Sequence, residues 1–367
     1  LVANTVYQVN PGLKQSQIGV ALEDAGIVRS AGIFTAAAYL RGALGNRLKA
    51  GEYEFPPEAS TEQVLSMIIG GRVKTYKLTI PEGWTTQMAV ARVAEHEALI
   101  GDVSAMPVEC AIMPETYVFP RGLSRQKMLD DMQAAQAKML DELWKARAVT
   151  STLKSKEEAV TLASIVEKET AVPEERPLIA SVFHNRLKQG MRLQSDPTII
   201  YGLVGGKGKL DRGLTKDDVA SDTPYNTYRI DGLPPGPIAN PGKASLEAVL
   251  NPPDTGYLYF VADGTGGHAF AKTLEEHNAN VAKWRAIESS LPAPATAVAS
   301  TVGVEGGLPV PPTPPASPVV ANPVTPAAPA EVAVAAPAPA DAAAETSSTS
   351  AVITPVPKPV KLAASAL

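Results

Sequence analysis

Residues 155–170 read SKEEAVTLASIVEKET. A serine precedes a run in which apolar residues recur at helical spacing, and serine is a preferred residue at a helix N-cap. The pattern predicts a helix over residues 155–170 that begins at Ser155 and turns one apolar side to the core. Glu167 and Glu169 close this segment. They are either a solvated helix end or groups with a chemical role, and the rest of the chain has to decide.

Helix geometry separates the two glutamates. At about 100° per residue, Glu167 and Glu169 fall on opposite flanks of the apolar face, so they cannot act as a pair. Glu169 continues the side formed by Leu162, Ile165 and Val166. A carboxyl group there would be partly desolvated, which raises its pKa and keeps it protonated for use as a general acid. This geometry favours Glu169 only slightly, and a solvated helix end remains open.

Helices and strands are mixed along residues 1–290 without a βαβ rhythm, which predicts an α+β fold. Residues 1–80 are predicted to form a small β-α-α-β domain, and residues 81–290 a larger mixed domain. The predicted elements of the small domain are a strand at 4–10, a helix capped by Ser16, a helix at 30–43 and a strand at 49–56.

The larger domain contains further predicted elements around the segment 155–170. The glycine-rich turn GTGG at 264–267 is flanked by apolar, β-rich runs, which predicts a pair of strands. VGGKGKL at 204–210 lacks the spacing of a phosphate-binding loop and is predicted to be a surface hairpin. MPETYVFP at 113–120 is assigned to a loop.

The segment from residue 291 to residue 367 differs in composition from the rest. It contains no aromatic residue and 16 of the 33 prolines. Proline removes backbone donors and alanine offers little area to bury, so the cost of ordering such a segment would not be offset. We predict a disordered tail over 291–367.

Composition also excludes several classes of function. A net charge of −5 provides no basic footprint, so we expect no nucleic-acid partner. The single cysteine, Cys110, excludes an internal disulfide and a cysteine-based zinc cluster. HExxH and GxSxG motifs are absent, and we predict neither a metal site nor a cofactor. No run of 18 apolar residues occurs, and the start at Leu1 suggests that an anchor helix or signal peptide has been removed.

Two polar segments carry the strongest local signal of ligand binding. RLQSDPT at 192–198 and TPYNTYRIDGLPPGPIANPG at 223–242 combine amides, hydroxyls and tyrosines with prolines and glycines that hold an irregular backbone. This mixture suits a sugar, which offers hydroxyl groups at its rim and C–H patches on its faces. Long connections that are merely stiffened by proline would have the same composition, so both interpretations stay open.

Four motifs occur in order along the chain, namely LASIVEKET, RLQSDPTIIYGL, YNTYRIDGLPPGPIANPG and YLYFVADGTGGHAF. Together they resemble the endolytic murein transglycosylases, the type G membrane-bound lytic transglycosylases, over about residues 5–284. The resemblance implies cleavage inside peptidoglycan glycan strands, between N-acetylmuramic acid and N-acetylglucosamine, to leave 1,6-anhydromuramic ends. It also implies that Glu169, the second glutamate of VEKET, is the catalytic residue and that the small domain is LysM-like.

The other candidate residues lie in the two polar segments. Asp196 is the best second carboxylate, although a structural Asx-turn is an equal alternative, and Pro197 after it predicts an extended backbone at Asp196. There are two alternative functions. One is a hydrolase that uses Glu169 with Asp196, and the other is a peptidoglycan-binding scaffold for wall synthases. The candidate substrate contacts are Gln194, Asp196, Tyr225, Asn226, Tyr228 and Asn240.

The resemblance has consequences for location and one visible departure. It implies a body in the periplasm, an N-terminal anchor in the inner membrane that is missing here, and peptidoglycan synthases (penicillin-binding proteins) as possible partners. The departure lies in ECAIMPETYVFP, where Cys110 occupies a position that is usually glycine. If that position requires a positive φ, the backbone at Cys110 is strained.

Overall fold

The structure of the protein is a computed structural model that describes residues 3–148 and 151–290. The predicted α+β class is confirmed, since these residues form helices together with three antiparallel strand pairs. The predicted disordered tail at 291–367 lies outside the described residues. Within the described ranges, none of the helices has the length and apolar character that crossing a lipid bilayer requires.

The N-terminal elements enclose one apolar core. Strand β1 (Thr5–Val9) pairs with β2 (Gly51–Phe55) so that Thr5 is opposite Phe55, and the rings of Phe34, Tyr53 and Phe55 are fully buried. The predicted order β-α-α-β is therefore present. These elements are β1 (Thr5–Val9), α1 (Gln15–Asp24), α2 (Ala31–Ala43), β2 (Gly51–Phe55) and α3 (Thr61–Gly70).

The predicted cap at Ser16 is wrong. Helix α1 begins at Gln15, and Lys14 is the extended residue before it. The side-chain oxygen of Gln17 accepts a hydrogen bond of 2.8 Å from the Lys14 N–H, which fastens the helix start without a hydroxyl cap. Ser16 consequently lies inside the first turn, where its side chain cannot act as the N-cap acceptor.

A second core surrounds a strand pair whose members are distant in sequence. Strand β3 (Thr75–Thr79) pairs with β4 (Thr116–Pro120) in antiparallel register, with Thr79 opposite Thr116. The assignment of residues 113–120 to a loop was therefore wrong in its second half, because the pairing partner of β4 lies about 40 residues earlier and no short pattern reveals it. The elements of this part are β3 (Thr75–Thr79), α4 (Thr86–Ala94), β4 (Thr116–Pro120) and α5 (Arg125–Lys145).

Helix α6 (Lys156–Glu169) runs through the third core, and it contains the segment quoted first. Ser155 is its N-cap, as predicted, and accepts a hydrogen bond of 3.2 Å from the Glu158 N–H. Residues 159–166 are all buried, so the expectation of a single buried side was wrong. The buried Ser164 hydroxyl donates to the Thr161 carbonyl and accepts from the Ile238 N–H, which satisfies a polar group inside the core.

Helices and a hairpin pack around α6. A short 3₁₀ turn, Pro173–Glu175, leads into helix α7 (Arg176–Lys188). Strands β5 (Tyr259–Ala262) and β6 (His268–Ala271) form the pair predicted around GTGG, with Ala262 opposite His268. The remaining elements are α7 (Arg176–Lys188), α8 (Asp196–Val204), α9 (Lys216–Ala220), α10 (Lys243–Leu250), β5 (Tyr259–Ala262), β6 (His268–Ala271) and α11 (Leu274–Ser290).

Two expectations around α8 were wrong. Asp196 is the first helical residue of α8, and the extended residue is Ser195 before it. Pro197 is tolerated there because the first turn of a helix does not use its N–H groups. The predicted hairpin at 204–210 is a 3₁₀ turn at Gly205–Lys207, where the Gly206 carbonyl accepts a hydrogen bond from the Thr85 hydroxyl at the start of α4.

The backbone at Cys110 is strained, as the sequence suggested. Its φ is +67°, and its buried thiol donates to the Ala239 carbonyl at 2.8 Å. We expect Cys110→Gly to be less destabilising than Cys110→Ala, because a residue with a Cβ costs about 1–2 kcal/mol in the left-handed region. Urea unfolding of the two variants measures this order. A more stable alanine variant, which is the usual order elsewhere in a chain, would contradict it.

Candidate active site

Glu169 is the last residue of α6, and its side chain is partly buried. The hydroxyl of Ser195 donates a hydrogen bond of 2.5 Å to Glu169 Oε1. Ser195 precedes α8, so the end of one helix meets the start of another at this carboxyl group. The predicted catalytic residue is thus held by a residue that lies 26 positions further along the chain.

A network of buried hydroxyl groups holds Ser195 in place. The Ser195 N–H donates to the Thr227 hydroxyl at 2.9 Å, and the Thr198 hydroxyl donates to the Ser195 carbonyl at 2.6 Å. Thr198 and Thr227 also share a hydrogen bond of 2.9 Å between their hydroxyl groups, and all three residues are at most 1% exposed. The two polar segments identified in the sequence are therefore hydrogen-bonded to each other next to Glu169.

The surroundings of Glu169 favour its protonated form. Burial raises the pKa of Glu169 from an ordinary value of 4.5 to about 7. The Ser195 hydroxyl lowers this pKa, the Asp196 carboxylate raises it, and the Arg186 guanidinium lowers it. A carboxyl group with a pKa near 7 is substantially protonated at neutral pH, so it can donate a proton and later accept one.

Asp196 and Tyr228 form a pair beside this carboxyl group. The Tyr228 hydroxyl donates a hydrogen bond of 2.6 Å to Asp196 Oδ1. Burial raises the pKa of Asp196, while this hydrogen bond lowers it, and burial also raises the pKa of Tyr228. Two of the predicted contact residues are thus brought together next to Glu169.

Gln194 lies next to Ser195 in the chain, whereas the side chain of Tyr225 lies beside Tyr201. The backbone of Gln194 has φ +51°, its N–H donates to the Thr227 carbonyl at 3.1 Å, and its side chain is exposed. Strained backbone of this kind is concentrated at functional sites. The ring of the partly buried Tyr225 lies 4.8 Å from that of Tyr201.

Asn226 and Asn240 occupy a different environment, because both are fully buried. The Asn226 amide donates to the carbonyls of Val219 and Ser221, and its oxygen accepts from the Tyr228 N–H. The Asn240 amide donates to the Trp84 carbonyl at 2.8 Å, and its oxygen accepts from the Ile112 N–H at 3.1 Å. Asn226 thus holds the backbone within the second polar segment, and Asn240 fastens the end of that segment to the backbone at Trp84 and Ile112.

Glu167 lies on the other flank of the helix and contacts different groups. Its Oε2 accepts from the Gly242 N–H at 2.9 Å, and its Oε1 lies 3.5 Å from Arg176 Nη2. Its side chain is 5% exposed. This carboxylate binds the 240–242 segment to α6, while Glu169 faces Ser195.

The sequence analysis did not select Ser195 and Arg186 as site residues. Arg186 is buried on α7, where Nε donates to the Leu258 carbonyl at 2.7 Å and Nη1 to the Leu193 carbonyl at 2.7 Å. A buried arginine has no distinctive spacing in a sequence, whereas Ser195 could have been found from its place next to Asp196. Across residues 3–148 and 151–290, no group of three or more His, Cys, Asp or Glu side chains is placed to hold a metal ion.

The chain is similar to several known proteins. The profile of the YceG-like family matches residues 7–283. An endolytic murein transglycosylase of Streptococcus pneumoniae is 33% identical over 337 residues, which cover 77% of this chain and 59% of that protein. Another protein of that name, from Bacillus subtilis, is 44% identical over 175 residues, which cover 47% of this chain and 46% of the relative.

The chain thus spans roughly half of the length of the two relatives, 59% of one and 46% of the other. Among solved structures, that of a yceG-like protein from Listeria monocytogenes is 34% identical and has a TM-score of 0.47. The match covers 75% of this chain and 98% of that one.

Proposed function

The chain belongs to the YceG-like family, and from this premise we propose that it is an endolytic lytic transglycosylase of peptidoglycan. Its substrate would be the bond between N-acetylmuramic acid and N-acetylglucosamine inside a glycan strand, and its product a 1,6-anhydromuramic end. The two relatives are named as murein transglycosylases. The observation that carries the proposal is Glu169, a carboxyl group with a pKa of about 7 beside the polar segments.

Glu169 would act twice in this reaction. Protonated Glu169 donates its proton to the glycosidic oxygen as the bond from that oxygen to C1 of muramic acid breaks and positive charge develops at C1. The C6 hydroxyl of the same sugar then attacks C1, and the Glu169 carboxylate takes the proton from that hydroxyl. Glu169 therefore loses one proton in the first step and regains one in the second. No water molecule reacts, so the second carboxylate of ordinary glycosidases is not required.

The candidate substrate contacts divide into two groups in this proposal. Gln194, Asp196, Tyr225 and Tyr228 would contact the sugar rings, since none of these four residues is buried. Tyrosine rings suit the C–H faces of a sugar, and the other groups suit its hydroxyls. Asn226 would act indirectly by holding the backbone of the polar segment that carries Tyr225 and Tyr228, and Asn240 by fastening the end of that segment to the backbone at Trp84 and Ile112.

A two-carboxylate muramidase is the second candidate, and Asp196 is the observation that favours it. Its charge raises the pKa of Glu169, so the two carboxyl groups interact. Asp196 Oδ1 is however occupied by the Tyr228 hydroxyl, which leaves it less available to activate water. We therefore place Asp196 in the role of tuning Glu169 and binding substrate.

The chemistry of the new glycan end distinguishes these functions. Purified peptidoglycan strands would be incubated with the protein, and the products would be analysed by mass spectrometry. A transglycosylase yields anhydromuramic ends, whereas a muramidase yields reducing muramic ends that are one water heavier. The absence of any cleavage, together with retained binding to strands, would support a scaffold and overturn both enzymatic proposals.

The pH dependence of the rate should respond to the neighbours of Glu169. Activity needs the protonated carboxyl group, so it should decline as the pH rises through about 7. Ser195→Ala removes a hydrogen bond that lowers the Glu169 pKa, so this decline should move to higher pH. Asp196→Asn removes a charge that raises the pKa, so the decline should move to lower pH. Rates measured from pH 5 to 9 test both shifts, and equal midpoints in all three proteins would contradict the assignment.

We also propose a location and a division of labour along the chain. Residues 1–80 would form a LysM-like domain that binds glycan, and residues 81–290 would carry the reaction. The body would lie in the periplasm, held to the inner membrane near peptidoglycan synthases. The support for these statements is the resemblance in the sequence motifs together with an activity that requires peptidoglycan. Fractionation of cells that produce the full-length protein tests the location.

A further inference from the structure

The C-terminal end of helix α6 determines where the proposed acid lies, because Glu169 is the last residue of that helix. The chain leaves the helix directly after Glu169, and Thr170 is extended with φ −141° and ψ 139°. No glycine follows to close the helix, and helix ends fray unless their backbone is held. Whatever fixes Thr170 therefore also limits the movement of Glu169.

Thr170 is held by a carboxylate on the next element. Its hydroxyl accepts a hydrogen bond of 2.9 Å from the Val172 N–H and donates one of 3.0 Å to Glu175 Oε2. Thr170 is 6% exposed, so these bonds are shielded from water. Glu175 ends the 3₁₀ turn that leads into α7.

Glu175 also reaches the β5–β6 hairpin. Its Oε1 accepts from the His268 N–H at 2.6 Å, and its Oε2 lies 2.6 Å from His268 Nδ1. The side chains of Glu175 and His268 are 12% and 9% exposed. The His268 ring packs edge-on against Phe260, with 5.3 Å between ring centroids. Because Phe260 packs against the apolar core, His268 is itself held in place.

Gly267 makes room for this carboxylate. A Cβ atom added at Gly267 would lie 2.7 Å from Glu175 Oε1, closer than real Cβ atoms approach an oxygen. The φ of Gly267 is not in the left-handed region, so the approach of Glu175 is the constraint on this position. The neighbouring Glu174 is exposed and forms no hydrogen bond or ion pair with another described residue.

We propose that Glu175 is a positioning residue for the reaction: its carboxylate fastens the end of α6 to the β5–β6 hairpin and so fixes the direction in which Glu169 presents its carboxyl group. The role of Glu169 in this statement rests on the proposed function. Glu175 acts on Glu169 indirectly, through its hydrogen bond with Thr170 and its contacts with His268.

Steady-state kinetics on glycan strands test the proposal with a matched pair. Glu175→Ala should lower kcat by about 100-fold, because a misplacement of about 1 Å costs that much, and should leave KM unchanged. Glu175→Gln keeps an acceptor for the His268 N–H and should recover most of the rate. Glu174→Ala, one residue away, should behave as wild type. Equal kcat for Glu175→Ala and Glu174→Ala would overturn the proposal, as would a loss confined to KM.

Hydrogen exchange separates a loosened helix end from a loss of the fold. In Glu175→Ala, amides at 170 and 172 should exchange faster, while those in the buried centre of α6 should keep their protection. This measurement does not depend on activity. Uniformly faster exchange along α6 would assign Glu175 to general stability and overturn the positioning role.

Gly267→Ala gives an independent test through the same contact. The added methyl group should displace the Glu175 carboxylate and lower kcat as Glu175→Ala does. In the double variant the second substitution should have little further effect, because the contact is already lost. Additive losses would overturn the proposal. If wild type forms no anhydromuramic ends, the proposed function fails, while the hydrogen-exchange comparison still decides whether Glu175 holds the helix end.

Discussion

Replacing Glu169 by glutamine is expected to lower the rate of glycan cleavage by about 10³-fold or more, since acid–base groups contribute about 10² to 10⁴ and this residue serves in both steps. Glutamine has nearly the same shape and can still accept the hydrogen bond from Ser195. It can neither donate a proton to the glycosidic oxygen nor take one from the C6 hydroxyl. Release of anhydromuramic products, followed by mass spectrometry, measures the loss.

Glu157→Gln is the matched control for this substitution. Glu157 lies in the first turn of the same helix, at the opposite end from Glu169, and is exposed. It should retain the wild-type rate. Cleavage by Glu169→Gln at more than about a tenth of the wild-type rate would rule out Glu169 as the general acid, since such an acid contributes at least 10².

The same Glu169→Gln variant is expected to be more stable than wild type at alkaline pH, by up to about 3 kcal/mol. The pKa of Glu169 is raised from 4.5 to about 7 in the folded protein, mainly by burial. Above pH 7 the folded wild type must hold a charge in a poorly solvated place, whereas the unfolded chain holds it in water. Glutamine carries no charge and avoids this cost.

The direction of the Glu169 pKa shift determines the pH range in which the two proteins differ in stability. A carboxyl group with a raised folded pKa contributes stability that is fully present below its unfolded pKa, here about 4.5, and that is lost as the pH rises through about 7. The gap between variant and wild type should therefore open between pH 4.5 and pH 7 and stay constant above. Urea unfolding at pH 4 and at pH 8.5 measures this gap.

Glu157 again provides the contrast. Its own backbone N–H and the Ser155 hydroxyl lower its pKa, so Glu157→Gln should remove stability that is present above the unfolded pKa and lost at acidic pH. The two substitutions should thus have opposite signs at alkaline pH. A Glu169→Gln variant that is no more stable at pH 8.5 than at pH 4, relative to wild type, would show that Glu169 ionises as an ordinary surface glutamate.

Features that depend on neighbours in the chain were predictable. The start of α6 at Ser155, the β-α-α-β order at the N-terminus and the strand pair around GTGG all follow from caps, periodicity and turn residues within a few positions. Local chemistry is enough in these places. The strain at Cys110 was foreseen by another route, the family resemblance, in which this position is usually glycine.

Features that depend on distant partners were missed. Strand β4 exists because β3 pairs with it, and α8 begins at Asp196 because Ser195 is held outside the helix by Thr227. The extension of Asp196 was a sound local expectation that the fold overrode. Burial on every side of residues 159–166 was missed for the same reason, since it requires the packing of several other helices around α6.

By itself the sequence determined that α6 ends in two glutamates on opposite flanks, because a helix rotates each residue by a constant angle. It also selected the two polar segments, and the resemblance carried by LASIVEKET and the other motifs selected Glu169. Only the tertiary structure decided which groups each flank contacts. Glu169 accepts a hydrogen bond from Ser195, and burial raises its pKa to about 7, whereas Glu167 accepts a hydrogen bond from the Gly242 N–H. Desolvation depends on all atoms that surround a group, and those atoms come from segments that only folding brings together.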